Sequence, residues 1–173
     1  KARRVFAGRG YPTYVMSMGN TLTYKEFSLA FLLYGVTGNT IYNQTNSFVD
    51  SDGQRFGWNY SVRASENFWT TPGQKADRPK PIIGGNPNSN STSTRYAEDG
   101  SYLRLRNVTL AYNLPVSVFG RTGLTAARFY ITGTNLLTFT RFTGIDPETD
   151  ITANDFFKYP VSKAVTVGVD ITF

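Results

Sequence analysis

Aromatic side chains are the residues of this sequence best suited to contacting a ligand. The chain holds 2 Trp and 11 Tyr. Aromatic faces suit sugar rings and peptide side chains, and Trp and Tyr are favoured contact residues. Five of them lie in or beside one long polar stretch and are predicted to contact substrate, the first two foremost: Trp69, Trp58, Tyr96, Tyr42 and Tyr60. The alternative is packing within the loop or contact with a partner protein.

Alternating carboxylates indicate a second possible chemistry. Asp146, Glu148 and Asp150 alternate in a later polar stretch, and Ca²⁺ prefers such hard oxygen ligands. Asp50 and Asp52, followed by glycine, begin like a calcium loop, but the bidentate Glu that such a loop needs near its end does not follow. Both groups are therefore assigned to solvated turns, and no metal site is predicted.

The sequence contains no His and no Cys. This excludes Ser-His-Asp triads, HExxH zinc sites, thiol nucleophiles, Cys zinc sites and disulfides. A hydrolase with paired carboxylates is a third, remote hypothesis, because the acidic residues lie in loops without an identifiable second partner. We therefore predict a protein that is not an enzyme and has no cofactor.

Alternation of apolar and polar residues predicts an all-β fold. In the last segment Val165, Val167, Val169, Ile171 and Phe173 share one parity, opposite polar or small residues. The same period of two predicts a hairpin over 14–24 and 27–34 and strands over 102–114 and 127–137. The stretch 35–100 is rich in Gly, Asn, Ser, Thr and Pro; short elements are expected in it around 42–48 or 55–62.

The connections between these five strands are short, very long, medium and long in turn. The short one (25–26) and the medium one (117–126, with one helical turn) fall at one end of the sheet, and the long ones (35–100 and 138–162) at the other. This asymmetry is typical of transmembrane β-barrels, with short periplasmic turns and long extracellular loops. Four of the strands have the ~9–11 residues that cross a bilayer. The alternative is a soluble β-rich carbohydrate-binding or adhesion module.

Orientation follows if the C-terminus is periplasmic. Arg104 and Arg106 share the parity of Val108 and Tyr112, and they would then lie at the extracellular rim, where Arg is tolerated. Tyr112 would lie near the periplasmic interface, where a belt of Tyr is expected.

Several segments resemble the C-terminal end of the SusC/RagA class of TonB-dependent outer-membrane transporters. The most specific is 95–110, RYAEDGSYLRLRNVTL; 11–14, 27–29, 38–43, 134–140, 144–148 and the Tyr159-Pro160 pair before the last strand extend the likeness in order and spacing along nearly the whole chain.

The resemblance implies that the complete protein is a 22-stranded barrel with an N-terminal plug. It would work with a SusD-like lipoprotein lid and import glycans or peptides across the outer membrane of a Gram-negative bacterium, using energy from TonB. Residues 1–173 would be the C-terminal segment, with about five strands. Since five strands cannot close a barrel and open edges in lipid leave backbone groups unpaired, we expect the chain to be part of a larger barrel. Lys1 in place of Met also favours a fragment or a processed product.

Two further predictions concern the last strand and a basic cluster near the start of the chain. Phe173, with Ile171, Val169 and Val167 on its face, is predicted to be the strand signal that the barrel-assembly machinery reads; the alternative is the buried edge strand of a sandwich. The basic residues Arg3, Arg4 and Arg9 lack a nucleic-acid motif, so we expect solvated charge or charge facing lipopolysaccharide phosphates, and no nucleic acid.

Overall fold

The computed structural model describes residues 3–55, 57–87, 89–120, 123–149 and 152–173. The chain is mainly β. Its elements, in order, are β1 (Tyr14–Tyr24), β2 (Phe27–Thr37), β3 (Thr40–Asn43), α1 (Gln44–Val49), α2 (Val62–Glu66), a 3₁₀ turn (Thr94–Tyr96), β4 (Ala97–Asp99), β5 (Tyr102–Asn113), a 3₁₀ turn (Val116–Val118), β6 (Ala126–Thr140), β7 (Asn154–Asp155) and β8 (Ala164–Thr172). None of the helices in these described ranges is long and apolar enough to cross a membrane.

The chain divides into two compact units. The first, here called the sheet unit, comprises Pro12–Gly38, Ser101–Arg141 and Pro160–Phe173. The second, here called the loop unit, comprises Lys1–Tyr11, Asn39–Gly100 and Phe142–Tyr159.

The sheet unit is one antiparallel sheet in the order β1-β2-β5-β6-β8. These are the five predicted strands, and β2 and β6 each run about three residues further than the alternation indicated. In the described part of the chain β1 and β8 each have one neighbour, so the sheet is open at both edges. The fold prediction is confirmed: antiparallel strands that do not close a barrel alone.

The turns of the sheet unit follow the predicted asymmetry. Tyr24 pairs with Phe27 across the two-residue turn, and the connection from β5 to β6 contains the 3₁₀ turn Val116–Val118. At the other end of the sheet, Val36 of β2 pairs with Tyr102 of β5, which also pairs with Thr140 of β6. Both long connections therefore begin at one end of the sheet, and both shorter ones lie at the other.

The predicted face of Arg104 is wrong, because β5 contains a bulge. Leu32 of β2 pairs with Asn107 and Leu33 pairs with Leu105, which leaves Arg106 as one extra residue. Directly opposed residues share a face of a sheet, and a bulge shifts the alternation by one. Leu105 therefore continues the apolar face, while Arg104 pairs with Tyr34 on the opposite face.

Arg104 is accommodated on that polar face by its neighbours. Its side chain is buried, with only 2% of the residue exposed. The Nε atom donates a hydrogen bond to Thr138 Oγ1 at 2.9 Å, and the guanidinium lies 5.3 Å from the centre of the Tyr102 ring. On the neighbouring strand the matching irregularity lies beside Asn135, whose φ of +53° suits an Asn better than most residues.

The loop unit is built around a second, small sheet. Strand β3 pairs antiparallel with β4 and parallel with β7, so the two long connections share one sheet. Thr40 N donates to Arg9 O at 2.7 Å, which joins the N-terminal segment to the same unit. The short element expected around 42–48 is confirmed by β3 and α1, whereas the described residues of 55–62 include only one residue of a helix or strand, Val62, the first residue of α2.

Candidate functional site

One face of the sheet unit is apolar across all five strands. Register places apolar residues side by side along this face, where Asn20 of β1 is a polar exception. One row runs through Leu22, Leu29, Leu110, Ile131 and Val167. Leu22, Leu110, Ile131 and Val167 are each about half exposed or more. Soluble proteins rarely expose a contiguous apolar surface of this extent.

An aromatic row crosses this face at the end with the short turns. Tyr24, Phe27, Tyr112 and Phe129 lie next to one another on four successive strands. The rings of Phe27 and Tyr112 are 4.7 Å apart between centroids. Such belts of aromatic residues are characteristic of the membrane–water interface. Tyr112 lies at the end of the sheet where the sequence predicted it.

Three of the four residues predicted as an assembly signal, Val167, Val169 and Ile171, lie on the same apolar face. Val167 and Val169 pair with Ile131 and Phe129 of β6. Phe173 follows β8 and is 87% exposed. Strand β8 has one neighbour in the described residues, so its outer edge is available for pairing with another strand.

Asp50 organises the first part of the loop unit. Its fully buried carboxylate accepts hydrogen bonds from Ser61 Oγ and from Arg63, and it pairs with Arg78 Nη2 at 2.7 Å. Ser61 is also the N-cap residue of α2, since its hydroxyl accepts from Ala64 N at 3.1 Å. One carboxylate thus connects the end of α1, the start of α2 and the segment at Arg78.

Asp52 holds a second, polar segment. It accepts hydrogen bonds from Ser89 Oγ, from Asn90 Nδ2 and from Asn86, whose backbone N–H lies at 3.0 Å. Burial would raise the pKa of Asp52, but the hydrogen bonds from Ser89, Asn86 and Asn90 outweigh it and lower this pKa below its ordinary value. The prediction that Asp50 and Asp52 lie in solvated turns is wrong, because both are buried and bonded within the protein.

The second long connection contributes a third buried carboxylate, that of Asp155. Asp155 is buried, and burial raises its pKa against the opposing backbone N–H of Ile145 and the charge of Lys158. Its backbone oxygen accepts from Thr45 Oγ1 at 3.1 Å, and that hydroxyl in turn accepts from Phe157 N at 2.7 Å. Helix α1 and β7 are therefore fastened together through Thr45.

This attachment brings four aromatic rings into one surface cluster. The Phe48 ring lies 5.9, 5.2 and 5.9 Å from those of Trp58, Phe156 and Phe157, respectively. Trp58, Phe156 and Phe157 are each about half exposed. We call Phe48, Trp58, Phe156 and Phe157 the aromatic cluster; it presents ring faces and edges to solvent within the loop unit.

Two cavities border this cluster. One, of about 360 Å³, is lined by Phe48 and by the polar side chains of Gln44 and Gln54, among others. The other, of about 240 Å³, is lined by Trp58 and Tyr60 together with the segment Pro81, Ile82 and Ile83. Binding sites typically combine apolar walls with a few placed polar groups, so these cavities are the candidate ligand site.

The five predicted contact residues fall in different environments. Trp58, Tyr60 and Tyr42 line the two cavities. Trp69 is exposed and stacks on none of the rings that the structure describes; its backbone N–H donates to Arg78 O at 2.8 Å. Tyr96 is 3% exposed and packs edge-on to Tyr42, and burial raises the pKa of its hydroxyl. A buried residue that packs against another ring, such as Tyr96, is a poor candidate for direct contact with a ligand.

Four residues at or beside the cavities were not predicted from the sequence: Phe48, Phe156, Phe157 and Arg55, whose guanidinium carbon lies 4.2 Å from the centre of the Phe48 ring. The adjacent pair Phe156-Phe157 in an otherwise polar stretch is the signal that could have found the cluster. Arg55 and Phe48 carried no such signal, because their proximity depends on how the two long connections fold together.

The acidic residues of the second long connection were the other candidates for binding Ca²⁺. No group of three or more acidic side chains close enough to hold a metal ion occurs among the described residues. Asp146 Oδ1 accepts the backbone N–H of Glu148 at 2.8 Å, as in a local turn. The third predicted member of that group, Asp150, lies outside the described residues.

The open sheet with one exposed apolar face defines a segment of a transmembrane barrel wall. Comparison with known proteins identifies the class of protein to which such a segment is similar. No family model matches the chain. Two curated relatives from Formosa agariphila match nearly all of it: TonB-dependent receptor P3 is 32% identical over 99% of the chain, and TonB-dependent receptor P26 is 32% identical over 98%.

Solved structures similar to this chain belong to the same kind of protein as the curated relatives. The RagAB peptide importer in its open-open state matches 94% of the chain with a TM-score of 0.81 and 30% identity. The closed-closed state matches 91% with a TM-score of 0.77 and 31% identity. The chain spans 17% and 18% of the two curated relatives and 17% of each of these solved chains.

Over nearly its whole length the chain is similar to a segment of TonB-dependent receptors and of the RagAB importer, as expected for the SusC/RagA class. The resemblance predicted from its motifs is therefore confirmed. These relatives are receptors and importers, in agreement with the prediction that the chain is not an enzyme.

Proposed function

We propose that this chain is part of the wall and loops of a TonB-dependent nutrient importer in the outer membrane of a Gram-negative bacterium. The observation that carries the proposal is the exposed apolar face that runs across all five strands and ends in the row Tyr24, Phe27, Tyr112 and Phe129. A soluble carbohydrate-binding or adhesion module does not account for such a face.

The remaining parts of the importer lie in the rest of the protein. The unpaired edges of β1 and β8 would pair with further strands, because every backbone group must be satisfied in lipid. We propose that residues 1–173 are the C-terminal segment, that 35–100 and 138–162 are extracellular loops, and that Phe173, Ile171, Val169 and Val167 are the assembly signal. The plug and the contact with TonB would belong to segments outside this chain.

Substrate capture would take place at the loop unit with a SusD-like lipoprotein as the lid. RagAB is a peptide importer, which supports peptides as the cargo, with glycans as the alternative. Trp58, Tyr60 and Tyr42 would contact cargo, since they line the cavities beside the aromatic cluster. The exposed Arg3, Arg4 and Arg9 would face lipopolysaccharide phosphates.

Uptake by cells carrying the full-length receptor tests this function. Cells are grown on glycan or peptide extracts as the limiting nutrient, with the receptor gene intact, deleted or restored, and with TonB active or removed. We expect growth that requires both the receptor and TonB on at least one extract. Growth that is independent of the receptor on every extract would contradict the proposal.

The role of the cavities is tested with the nutrient so identified. Trp58→Ala should weaken the binding of this nutrient to the purified receptor about fivefold or more, because an aromatic side chain buried against a ligand contributes ~1–3 kcal/mol. Trp69→Ala is the matched control, since Trp69 lies outside the aromatic cluster. Equal losses from both variants would argue against a specific role for the cluster.

A further inference from the structure

Arg55 stands at the border of both cavities of the loop unit. Its guanidinium carbon lies 4.2 Å from the centre of the Phe48 ring. Arg55 lines the 360 Å³ cavity with Phe48 and the 240 Å³ cavity with Trp58. A guanidinium stacked on an aromatic face is held in orientation while its N–H edges stay available.

The electrostatic surroundings distinguish Arg55 from the other arginines of the first long connection. Arg63 and Arg78 are paired with the buried Asp50, and Arg95 donates to Asp77 O at 2.6 Å. Arg55 is exposed, and within the described residues no carboxylate pairs with it. It therefore presents an uncompensated positive charge to the cavities.

No other charged side chain among the described residues lines either cavity. The nearest acid along the chain, Asp52, is buried and engaged by Asn86, Ser89 and Asn90. The amides of Gln44 and Gln54 line the larger cavity and offer both donors and acceptors. The site thus combines one fixed cation, neutral hydrogen-bonding groups and aromatic walls.

We propose that Arg55 makes the importer selective for acidic cargo, binding a carboxylate or sulfate group while a ring or apolar part of the ligand lies against Trp58. This inference rests on the proposed function and names the substrate class of the same site. Guanidinium matches carboxylate and sulfate geometry with two parallel hydrogen bonds. Gln44 and Gln54 would bond the neighbouring hydroxyl or amide groups of the ligand.

The test uses full-length receptor in detergent and three matched pairs of probes. The pairs are oligogalacturonate and its methyl ester, dextran sulfate and dextran, and a Glu-containing peptide and the same peptide with Gln. Binding is measured by calorimetry for the unaltered receptor and for Arg55→Gln, Arg55→Lys and the control Lys75→Gln. Lys75 is exposed and lies outside both cavities, and Lys75→Gln removes the same charge from the same unit.

We expect the acidic member of at least one pair to bind about tenfold or more tightly than its neutral partner, as a charge-assisted hydrogen bond predicts. Arg55→Gln should abolish this preference, Arg55→Lys should lose most of it because Lys lacks the planar fork, and Lys75→Gln should retain it. The pair that responds distinguishes carboxylate from sulfate and glycan from peptide.

Two outcomes overturn the inference. The first is equal binding of both members in every pair, including no binding at all; the second is an acid preference that survives Arg55→Gln. TonB-dependent uptake of nutrient in cells is measured separately. Uptake without any acid preference would leave the importer function standing and the role of Arg55 refuted, whereas acid-selective binding without TonB-dependent uptake would refute the importer function alone.

Discussion

The side-chain amide of Asn43 donates from Nδ2 to Glu98 Oε1 at 3.0 Å, while Asn43 Oδ1 accepts the N–H of Asn46 at 2.9 Å and caps α1. The same carboxylate accepts from the backbone N–H and the hydroxyl of Thr143, at 2.7 and 2.8 Å. Asn43 Nδ2 also donates to Thr143 Oγ1 at 3.4 Å. Asn43, which is fully buried, and Glu98 together therefore join the two long connections of the chain, and Asn43 starts the helix that carries Phe48.

Asn43→Ala should loosen the loop unit. The variant loses a helix cap worth ~1 kcal/mol and a hydrogen bond to a charged group worth ~1.5–3 kcal/mol. Local hydrogen exchange in the full-length receptor should therefore accelerate in 40–49 and 142–157. The exposed Asn59→Ala is the control and should leave exchange unchanged; identical exchange in the two variants would refute the role given to Asn43.

Asp50→Asn should destabilise the same unit more strongly. It removes the charge that compensates Arg63 and the largely buried Arg78, and leaving a buried charge unpaired costs about 3–5 kcal/mol. We expect rapid proteolytic cleavage within 50–80 of the receptor. Asp77→Asn, at an exposed hydrogen bond to Asn67, serves as the control, with an expected effect within ~0.5 kcal/mol. Cleavage of neither variant would contradict this account.

Acid should release the segment that Asp52 holds. Because its hydrogen bonds lower the pKa of Asp52 in the folded state, its contribution to stability is present above the ordinary carboxyl pKa and is lost as the pH falls through the lowered value. Hydrogen exchange in 86–90, corrected for intrinsic rates, should therefore show protection that falls below about pH 4.

The variant Asp52→Asn isolates this contribution. Asp155 has the opposite pH dependence. Its raised pKa means that its contribution to stability is present below the unfolded-state pKa and is lost as the pH rises. Asp155 is present in both proteins, so its contribution is the same in both. Only the unaltered receptor should show the additional loss of protection in acid. The same pH profile in both proteins would assign the effect to another group.

Deleting Phe173 should lower the amount of receptor in the outer membrane. The residue is 87% exposed at the end of the edge strand β8, which agrees with recognition of the terminal strand by an assembly partner. Outer-membrane fractions are blotted for the deletion and for the control Phe173→Tyr, which keeps a terminal aromatic ring. Unchanged levels in the deletion would leave the terminal strand without this role.

The sequence predicts the sheet well because its signal is local. Alternation over nine to fifteen residues defines a strand without reference to its partners, as in β8. The face of Arg104 was missed because the bulge at Arg106 depends on the register of both neighbouring strands. Asp50 and Asp52 were expected in solvent, since their partners, Arg78 and Asn86, lie 28 and 34 positions further along the chain.

The candidate site is predictable only in part, for the same reason. Trp58 and Tyr60 stand out by residue type alone. The grouping of Trp58 with Phe156 and Phe157 depends on the hydrogen bonds of Thr45 to the second long connection, and such long-range contacts leave no periodic trace in a sequence.

Spin-label accessibility tests most directly whether the apolar face of the sheet contacts lipid. This chain has no Cys, so single cysteines at Ile131, Thr132, Thr166 and Val167 can be labelled in full-length receptor reconstituted in lipid, with any cysteine outside this chain replaced. Ile131 pairs with Val167, and Thr132 with Thr166, on opposite faces. We predict that labels at 131 and 167 collide mainly with lipid-soluble oxygen, and that labels at 132 and 166 collide with it far less. Labels at 131 and 167 that collide mainly with a water-soluble nickel complex would contradict the assignment of this face to the membrane.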